Sequence, residues 1–238
     1  MYKRLKLKFS NTHLLSLSAN VIVVILGILS YVLLCRILTL RERGVWLFFQ
    51  SLFALADSIR SGFLSTGFIK FYAGVEKKRA TEVAGSTWII SIAITLIFCM
   101  VSGASYFTTD FIEDEGISYF LKWLGVLAIV SLPHFMAICL VQAKEHFGKF
   151  LVLKLFRNFI FITCFVTFYF YNRHTAIEII YSYLISFTIS SLLTLILGWC
   201  DVKTVLSYNK KVIKELLDFG KYSMGTNLSA TLFQTVEN

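Results

Sequence analysis

The sequence predicts an all-α integral membrane protein, with a six-helix transmembrane bundle followed by the start of a seventh helix. Of the 238 residues, 57% are hydrophobic and only 16% are charged, whereas a soluble domain has about 25% charged residues. Six apolar runs each have about 20 residues or more, the length that a helix needs to cross a bilayer. Transmembrane β-strands would instead be about 10 residues of alternating polarity. Six spans leave little chain for a soluble catalytic domain.

The first predicted helix is the apolar run of residues 14–35, which follows four basic residues. It is longer than the apolar core of a signal peptide, about 7–15 residues, and no small-residue cleavage site follows it. We therefore expect it to remain as a span. The charged sequence LRERG, residues 40–44, is predicted to be the turn that follows. The remaining predicted spans cover residues 45–71, 83–107, 117–142, 150–171 and 176–200.

The pattern changes after Cys200. Residues 201–222 contain five lysines, and Val212, Leu216 and Phe219 recur on one helical face, which predicts a basic amphipathic helix. A new apolar segment starts at residue 223, and the sequence stops before it could cross a bilayer. We expect a six-span bundle over 1–200, a cytoplasmic linker over 201–222 and the truncated start of a seventh span over 223–238.

The basic residues predict the orientation. With a cytoplasmic N-terminus, the inner segments hold 14 lysines and arginines and the outer loops hold four. This bias is the pattern of a multi-pass protein whose basic loops stay in the cytoplasm. The net charge of +9 then belongs to a membrane surface in contact with lipids, and no nucleic-acid partner is predicted.

Recognisable catalytic or metal-binding patterns are absent from the sequence. The five cysteines form no C-x-x-C pair and have no histidine at ligand spacing, so neither a metal site nor a disulfide is predicted. No nucleophile–base pattern, phosphate loop or pair of carboxylates stands out. We therefore expect a protein that is not an enzyme.

Ionisable residues inside the apolar runs are the candidate functional groups, because charge at that depth is costly. Asp57 and Arg60 stand three residues apart near the middle of the second run. Two interpretations stay open: the two side chains neutralise each other, or Arg60 presents a cation to an anionic substrate while Asp57 orients it or titrates. Arg157, in the fifth run, is the candidate for a second cation in a central cavity.

Pro133 is predicted to kink the fourth helix, because it cannot donate a backbone hydrogen bond. His134 beside it is a candidate titrating group, or it bonds a carbonyl that the proline leaves free. Gly67 and Gly74, on the face of Arg60, allow close packing or a groove. Hydroxyl side chains also repeat every four residues in the sixth run, which indicates helix packing or a polar lumen: Ser182, Ser186, Ser190 and Thr194.

Three stretches resemble polysaccharide flippases, of the O-antigen type, in the multidrug/oligosaccharidyl-lipid/polysaccharide exporter superfamily. CRILTLRERGVW (35–46) is similar to the family's turn between spans one and two. ADSIRSGFLSTGFIKFYAG (56–74) is similar to its second helix, and KELLDFGKYSMGTNLSATLF (214–233) to its approach to the seventh span.

The resemblance implies two six-helix bundles that meet in a V around a central cavity, of which this chain supplies the first. Alternating access would flip a polyprenyl-pyrophosphate-linked oligosaccharide across the bacterial cytoplasmic membrane. Arg60, Asp57 and Arg157 would face the cavity, and no cofactor is implied. His134, Pro133 and Glu237 are candidates for gating or for coupling to protons or sodium ions. The partner of the bundle would be the C-terminal half of the same protein.

Two alternatives remain. A multidrug antiporter of the same superfamily would differ only in its substrate. An integral-membrane enzyme of glycolipid metabolism would need a large outer loop, or histidines, aspartates and arginines clustered at one membrane face.

Overall fold

The computed structural model describes residues 21–106, 112–171 and 175–236; Glu237 therefore lies outside the described residues. Throughout these ranges the chain is helical, with short connections. The helices are α1 (Val21–Ile37), α2 (Leu40–Tyr72), α3 (Lys77–Ser105), α4 (Glu115–Ala143), α5 (Phe147–Phe170), α6 (Ala176–Ile196), a 3-10 helix (Val202–Ser207) and α7 (Lys210–Val236).

Four of these helices, α3 to α6, are long and apolar enough to cross a membrane. Their bounds agree with the predicted third to sixth spans to within a few residues, apart from the earlier start of α3. Helix α1 is apolar over its 17 described residues apart from Arg36 near its end, and α2 has the length of a span but carries buried charge. The described residues therefore confirm a helical architecture that is consistent with a membrane bundle, and the count of six spans stays a prediction.

The predicted charged turn at residues 40–44 is wrong, because these residues form the start of α2. Thr39 caps the helix, and its hydroxyl oxygen accepts a hydrogen bond from the backbone N–H of Glu42 at 3.3 Å. This is the threonine-to-glutamate spacing of a capping box, which favours helix initiation over a turn. The connection from α1 is only two residues long.

The basic segment after Cys200 also differs from the prediction. Instead of one amphipathic helix over 201–222, a 3-10 helix comes first, and α7 then runs without a break across residues 222 and 223. Helix α7 packs along α2, and Val212 and Leu216 are fully buried. The apolar face of this segment therefore packs against the bundle.

Glycine at position 67 permits the close approach of α2 and α7. A Cβ placed there would lie 3.2 Å from the Phe219 ring and 3.5 Å from the Leu216 side chain. The packing interpretation of Gly67 is confirmed. Gly74 has a different role, because it lies in the turn after α2 with a φ of +73°, where glycine avoids steric strain.

Two buried clusters hold the bundle together. One joins the C-terminal half of α2 with α3, α4 and α7, around residues such as Phe68, Trp88 and Met136. The other, which we call the aromatic core, joins the N-terminal half of α2 with α4, α5 and α6, and its members include Trp46, Phe49, Phe53, Phe165 and Phe187. The candidate site adjoins the aromatic core.

Polar contacts between helices mark the two ends of the bundle. At one end, Arg41 pairs with Glu115 at 2.7 Å, and Glu42 accepts a hydrogen bond from the backbone N–H of Ala176. These contacts bring the N-termini of α2, α4 and α6 to the same end. Contacts at the other end join α3 to α7 and α4 to the segment after α6, through the pairs Arg79–Glu215 and Lys144–Asp201.

Candidate functional site

A cavity of about 910 Å³ lies between α1, α2, α5 and α6. Along α2 its wall extends from Gly44 to Leu55, a rise of about 16 Å. Most of the lining is apolar or aromatic, with a small number of polar side chains among it, which is the usual composition of a ligand pocket. The polar side chains of the lining are Ser30, Tyr31, Gln50, Ser51, Arg157, Asn158, Tyr183 and Ser186.

Arg157 is the basic residue of this lining. It is half-buried, and its guanidinium carbon lies 4.9 Å from the centre of the Phe187 ring, within the range of a cation–π interaction. No carboxylate occurs among the described residues that line the cavity. Within the described chain, the guanidinium has no hydrogen-bond or ion-pair partner, so its donors remain free for an anion.

An aromatic wall stands beside Arg157. Phe161, one turn further along α5, stacks with Trp46 at a ring-centre distance of 5.9 Å. The Tyr183 ring lies edge-on to Trp46 at 5.5 Å, and all three rings line the cavity. The wall thus brings together side chains from α2, α5 and α6.

Arg60 lies outside this lining. Its side chain is 97% buried and reaches from α2 to α4, where Nη2 donates to Ser131 Oγ at 2.9 Å and Nη1 donates to the carbonyl of Ala128 at 3.3 Å. Nη2 also donates to Asp57 Oδ1 at 2.6 Å, and the guanidinium lies 4.8 Å from the Phe135 ring centre. The Asp57–Arg60 ion pair is therefore present, and most of the other contacts of the guanidinium are with α4.

Helix α4 continues through Pro133, so the proline does not end it. The missing N–H of Pro133 weakens the helical hydrogen bonding of the preceding turn. That turn's unpaired carbonyl belongs to Ile129, and side chains from neighbouring helices bond the carbonyls on either side of it. Arg60 donates to the Ala128 carbonyl, and Ser191 donates to the Val130 carbonyl at 2.5 Å. The size of the predicted kink stays a prediction.

His134 is buried, and its contacts differ from the expected bond to a freed carbonyl. A hydrogen bond of 2.8 Å joins Nδ1 to the hydroxyl of Ser190. The His134 ring also meets the Phe187 ring edge-on at 5.8 Å, and Phe187 in turn contacts Arg157. His134 and Arg157 therefore share one aromatic neighbour, whereas Arg60 contacts α4 at Ala128, Ser131 and Phe135.

The hydroxyl stripe of α6 is buried, which supports the packing interpretation for most of its length. Most of its hydroxyls donate to backbone carbonyls of the same helix, a common arrangement in helices packed against neighbours. Ser190 instead bonds His134. Ser186 also borders the cavity, so the stripe contributes one polar group there.

Sequence reasoning missed Trp46, Gln50, Asn158 and Tyr183. The two amides carried a usable signal, since each is a polar side chain within a predicted span. The two aromatic residues carried none, because rings are frequent throughout this chain and their positions give no indication of which ones meet.

Comparison with known proteins assigns the chain to a family. Searches of curated proteins and of solved structures gave no significant match. A family model described as polysaccharide biosynthesis protein matches residues 33–238, which is most of the chain and includes α2 to α7. With its apolar helices, the chain is a multi-pass membrane protein that belongs to this polysaccharide biosynthesis family.

Proposed function

We propose that the protein flips a polyprenyl-pyrophosphate-linked oligosaccharide across the bacterial cytoplasmic membrane by alternating access. The described bundle would be one wall of the transport pathway, and a C-terminal half of the same protein would form the opposite wall. The observation that carries the proposal is the cavity in which Arg157 presents free donors between apolar and aromatic walls.

The electrostatics of the cavity favour an anionic substrate. A pyrophosphate that leaves water loses its hydration, and positive charge inside the membrane must compensate for it. A guanidinium suits this task because its planar donors match phosphate oxygens. Arg157 supplies such a group without a competing carboxylate in the described lining.

The same feature argues against the multidrug antiporter. Cationic drugs would be favoured by an acidic cavity, and the ionised group of the described lining is a cation. The glycolipid enzyme is disfavoured for another reason. The described lining offers one guanidinium, amides and hydroxyls, but no acid–base pair for general catalysis.

Arg60 has a separate role in this proposal. Its contacts with Ser131 and Ala128 make it a link between α2 and α4, close to Pro133. Its predicted contact with substrate, and the coupling roles of Asp57, His134 and Glu237 with protons or sodium ions, stay predictions.

The proposal is tested in cells that lack their own flippase for the repeat unit, complemented with the full-length protein. Arg157→Gln should abolish surface polysaccharide and leave the lipid-linked repeat unit on the inner leaflet, at normal protein abundance. Arg157→Lys should restore part of the export, because an ammonium keeps the positive charge but lacks the planar set of donors of a guanidinium. Full export by Arg157→Gln would contradict the assignment.

Lys154→Gln is the matched control. Lys154 lies three residues before Arg157 on α5, with Nζ 4.5 Å from the Phe150 ring centre, and it does not line the cavity. Its loss removes a positive charge from the same helix without changing the cavity, so export should stay near that of the wild type.

A further inference from the structure

We propose that Trp46 and Gln50 form a subsite for the sugar ring that is attached directly to the phosphate bound at Arg157. This inference rests on the proposed function and adds the position and chemistry of the first sugar contact. Its ligand class is a pyranose joined to a phosphate.

The buried indole N–H of Trp46 is the first observation. Trp46 is 2% exposed and lines the cavity, and its Nε1 has no acceptor in the described part of the chain. A buried donor without a partner is destabilising, and a ligand that supplies the acceptor removes that cost. A hydroxyl or an amide carbonyl of a sugar is an acceptor of the kind that this N–H lacks.

Neutral polar groups and aromatic rings line the same cavity as Trp46. The amides of Gln50 and Asn158 line the cavity and make no hydrogen bond with other described residues. Amides suit sugar hydroxyls because they both donate and accept. The rings of Phe161 and Tyr183 provide apolar surface for the C–H face of a pyranose.

The helix directions place Trp46 and Gln50 within one helical turn of the level of Arg157. Helices α2 and α5 run antiparallel, because α2 and α4 begin at the same end and a three-residue turn joins α4 to α5. Trp46 stacks on Phe161, one turn beyond Arg157, and Gln50 lies one turn from Trp46 toward the level of Arg157. A helical turn is about 5.4 Å, so Trp46 lies about that distance along the bundle axis from the level of Arg157.

The test is a binding measurement on the full-length protein with two probes, polyprenyl pyrophosphate alone and polyprenyl pyrophosphate that carries one N-acetylhexosamine. Trp46→Phe keeps an aromatic ring but removes the N–H, and should weaken binding of the sugar-bearing probe about fivefold. Binding of the sugar-free probe should not change. Gln50 is exposed, so Gln50→Leu should not disturb folding. This variant should weaken binding of the sugar-bearing probe about threefold and leave binding of the sugar-free probe unchanged.

Trp123→Phe is the control, because Trp123 packs edge-on to Tyr181 and does not line the cavity. It should bind both probes as the wild type does. If Trp46→Phe and Gln50→Leu bind both probes normally, or lose both equally, the sugar subsite is wrong. In that case Arg157→Gln would still weaken both probes and the phosphate site would stand. If the wild type binds neither probe, the proposed function fails together with the subsite.

Discussion

Arg60 and Arg157 are in opposite electrostatic situations, although both are arginines within apolar helices. Arg60 is enclosed by a carboxylate, a hydroxyl, a carbonyl and an aromatic ring. Arg157 rests on one aromatic ring and faces a cavity. A guanidinium that is hydrogen-bonded within the protein stabilises the fold, whereas one without such partners is available to a ligand.

We predict that Arg60→Ala destabilises the full-length protein by about 3 kcal/mol, since it leaves Asp57 and two α4 groups without their buried partner. Arg41→Ala is the matched control on the same helix. Arg41 pairs with Glu115 in an exposed salt bridge, so its loss should cost less than about 1 kcal/mol. Unfolding of the purified protein in detergent measures both.

The Asp57→Ala/Arg60→Ala double variant separates the two interpretations of Arg60. If Arg60 acts by packing and pairing, the double variant should be more stable than the sum of the single losses implies, and transport should partly return. A stable Arg60→Ala protein that does not transport, with no rescue in the double variant, would show that Arg60 contacts the substrate.

The sequence could indicate which charges are buried in the membrane, but not the direction in which each one points. Depth follows from position within an apolar run, and this identified Asp57, Arg60 and Arg157. Whether a guanidinium reaches a neighbouring helix or a cavity depends on the rotation of its helix and on which polar groups of other helices lie nearby. Ser131, the partner of Arg60, lies 71 residues away in sequence.

At the scale of elements, the 3-10 helix after α6 packs directly on α3. Gly85 makes this possible, since a Cβ there would lie 2.3 Å from the carbonyl oxygen of Thr204. Two further contacts fix the same junction. Trp88 Nε1 donates to the Cys200 carbonyl at 3.1 Å, and the backbone N–H of Asn209 donates to Ser86 Oγ at 3.1 Å.

We predict that Gly85→Ala lowers the free energy of unfolding by about 2 kcal/mol, because backbone must move to admit the methyl group. Gly103→Ala, on the same helix, is the control. A Cβ at Gly103 meets nothing within 4 Å, so alanine should be neutral or stabilising there through its higher helix propensity. Equal stability of the two variants would contradict the tight contact between α3 and the 3-10 helix.

The helices themselves were largely predictable, and their ends were less so. Apolar run length fixed α3 to α6, since few other structures satisfy the backbone within a membrane. The start of α2 was missed because charged residues were interpreted as a loop, although Thr39 and Glu42 have capping spacing. The single helix α7 was missed because its composition changes from basic to apolar near residue 222. The helical backbone hydrogen bonds continue across this change.

At the scale of the whole molecule, the polar contacts at the two ends of the bundle agree with the division that the basic residues predict. Arg79 and Lys144 pair at one end, and Arg41 pairs at the other. The first end is the one that carries most of the lysines outside the spans, so it is expected to face the cytoplasm.

We predict that a cysteine replacing Lys78 is labelled by a membrane-impermeant thiol reagent only after the cells are permeabilised. A cysteine replacing Glu113, at the opposite end, should be labelled in intact cells. The measurement needs a background without the five native thiols, all of which are free in the structure. Labelling of position 78 but not 113 from outside would reverse the topology.

The most direct test of the proposed function uses the full-length protein in proteoliposomes with a polyprenyl-pyrophosphate-linked oligosaccharide in both leaflets. An added enzyme that cleaves the exposed glycan reports how much lipid reaches the outer leaflet. With wild-type protein, the accessible fraction should rise from about half to nearly all, and Arg157→Gln should behave like protein-free liposomes. Equal accessibility with and without wild-type protein, or full flipping by Arg157→Gln, would contradict the proposal that Arg157 binds the phosphate during transport.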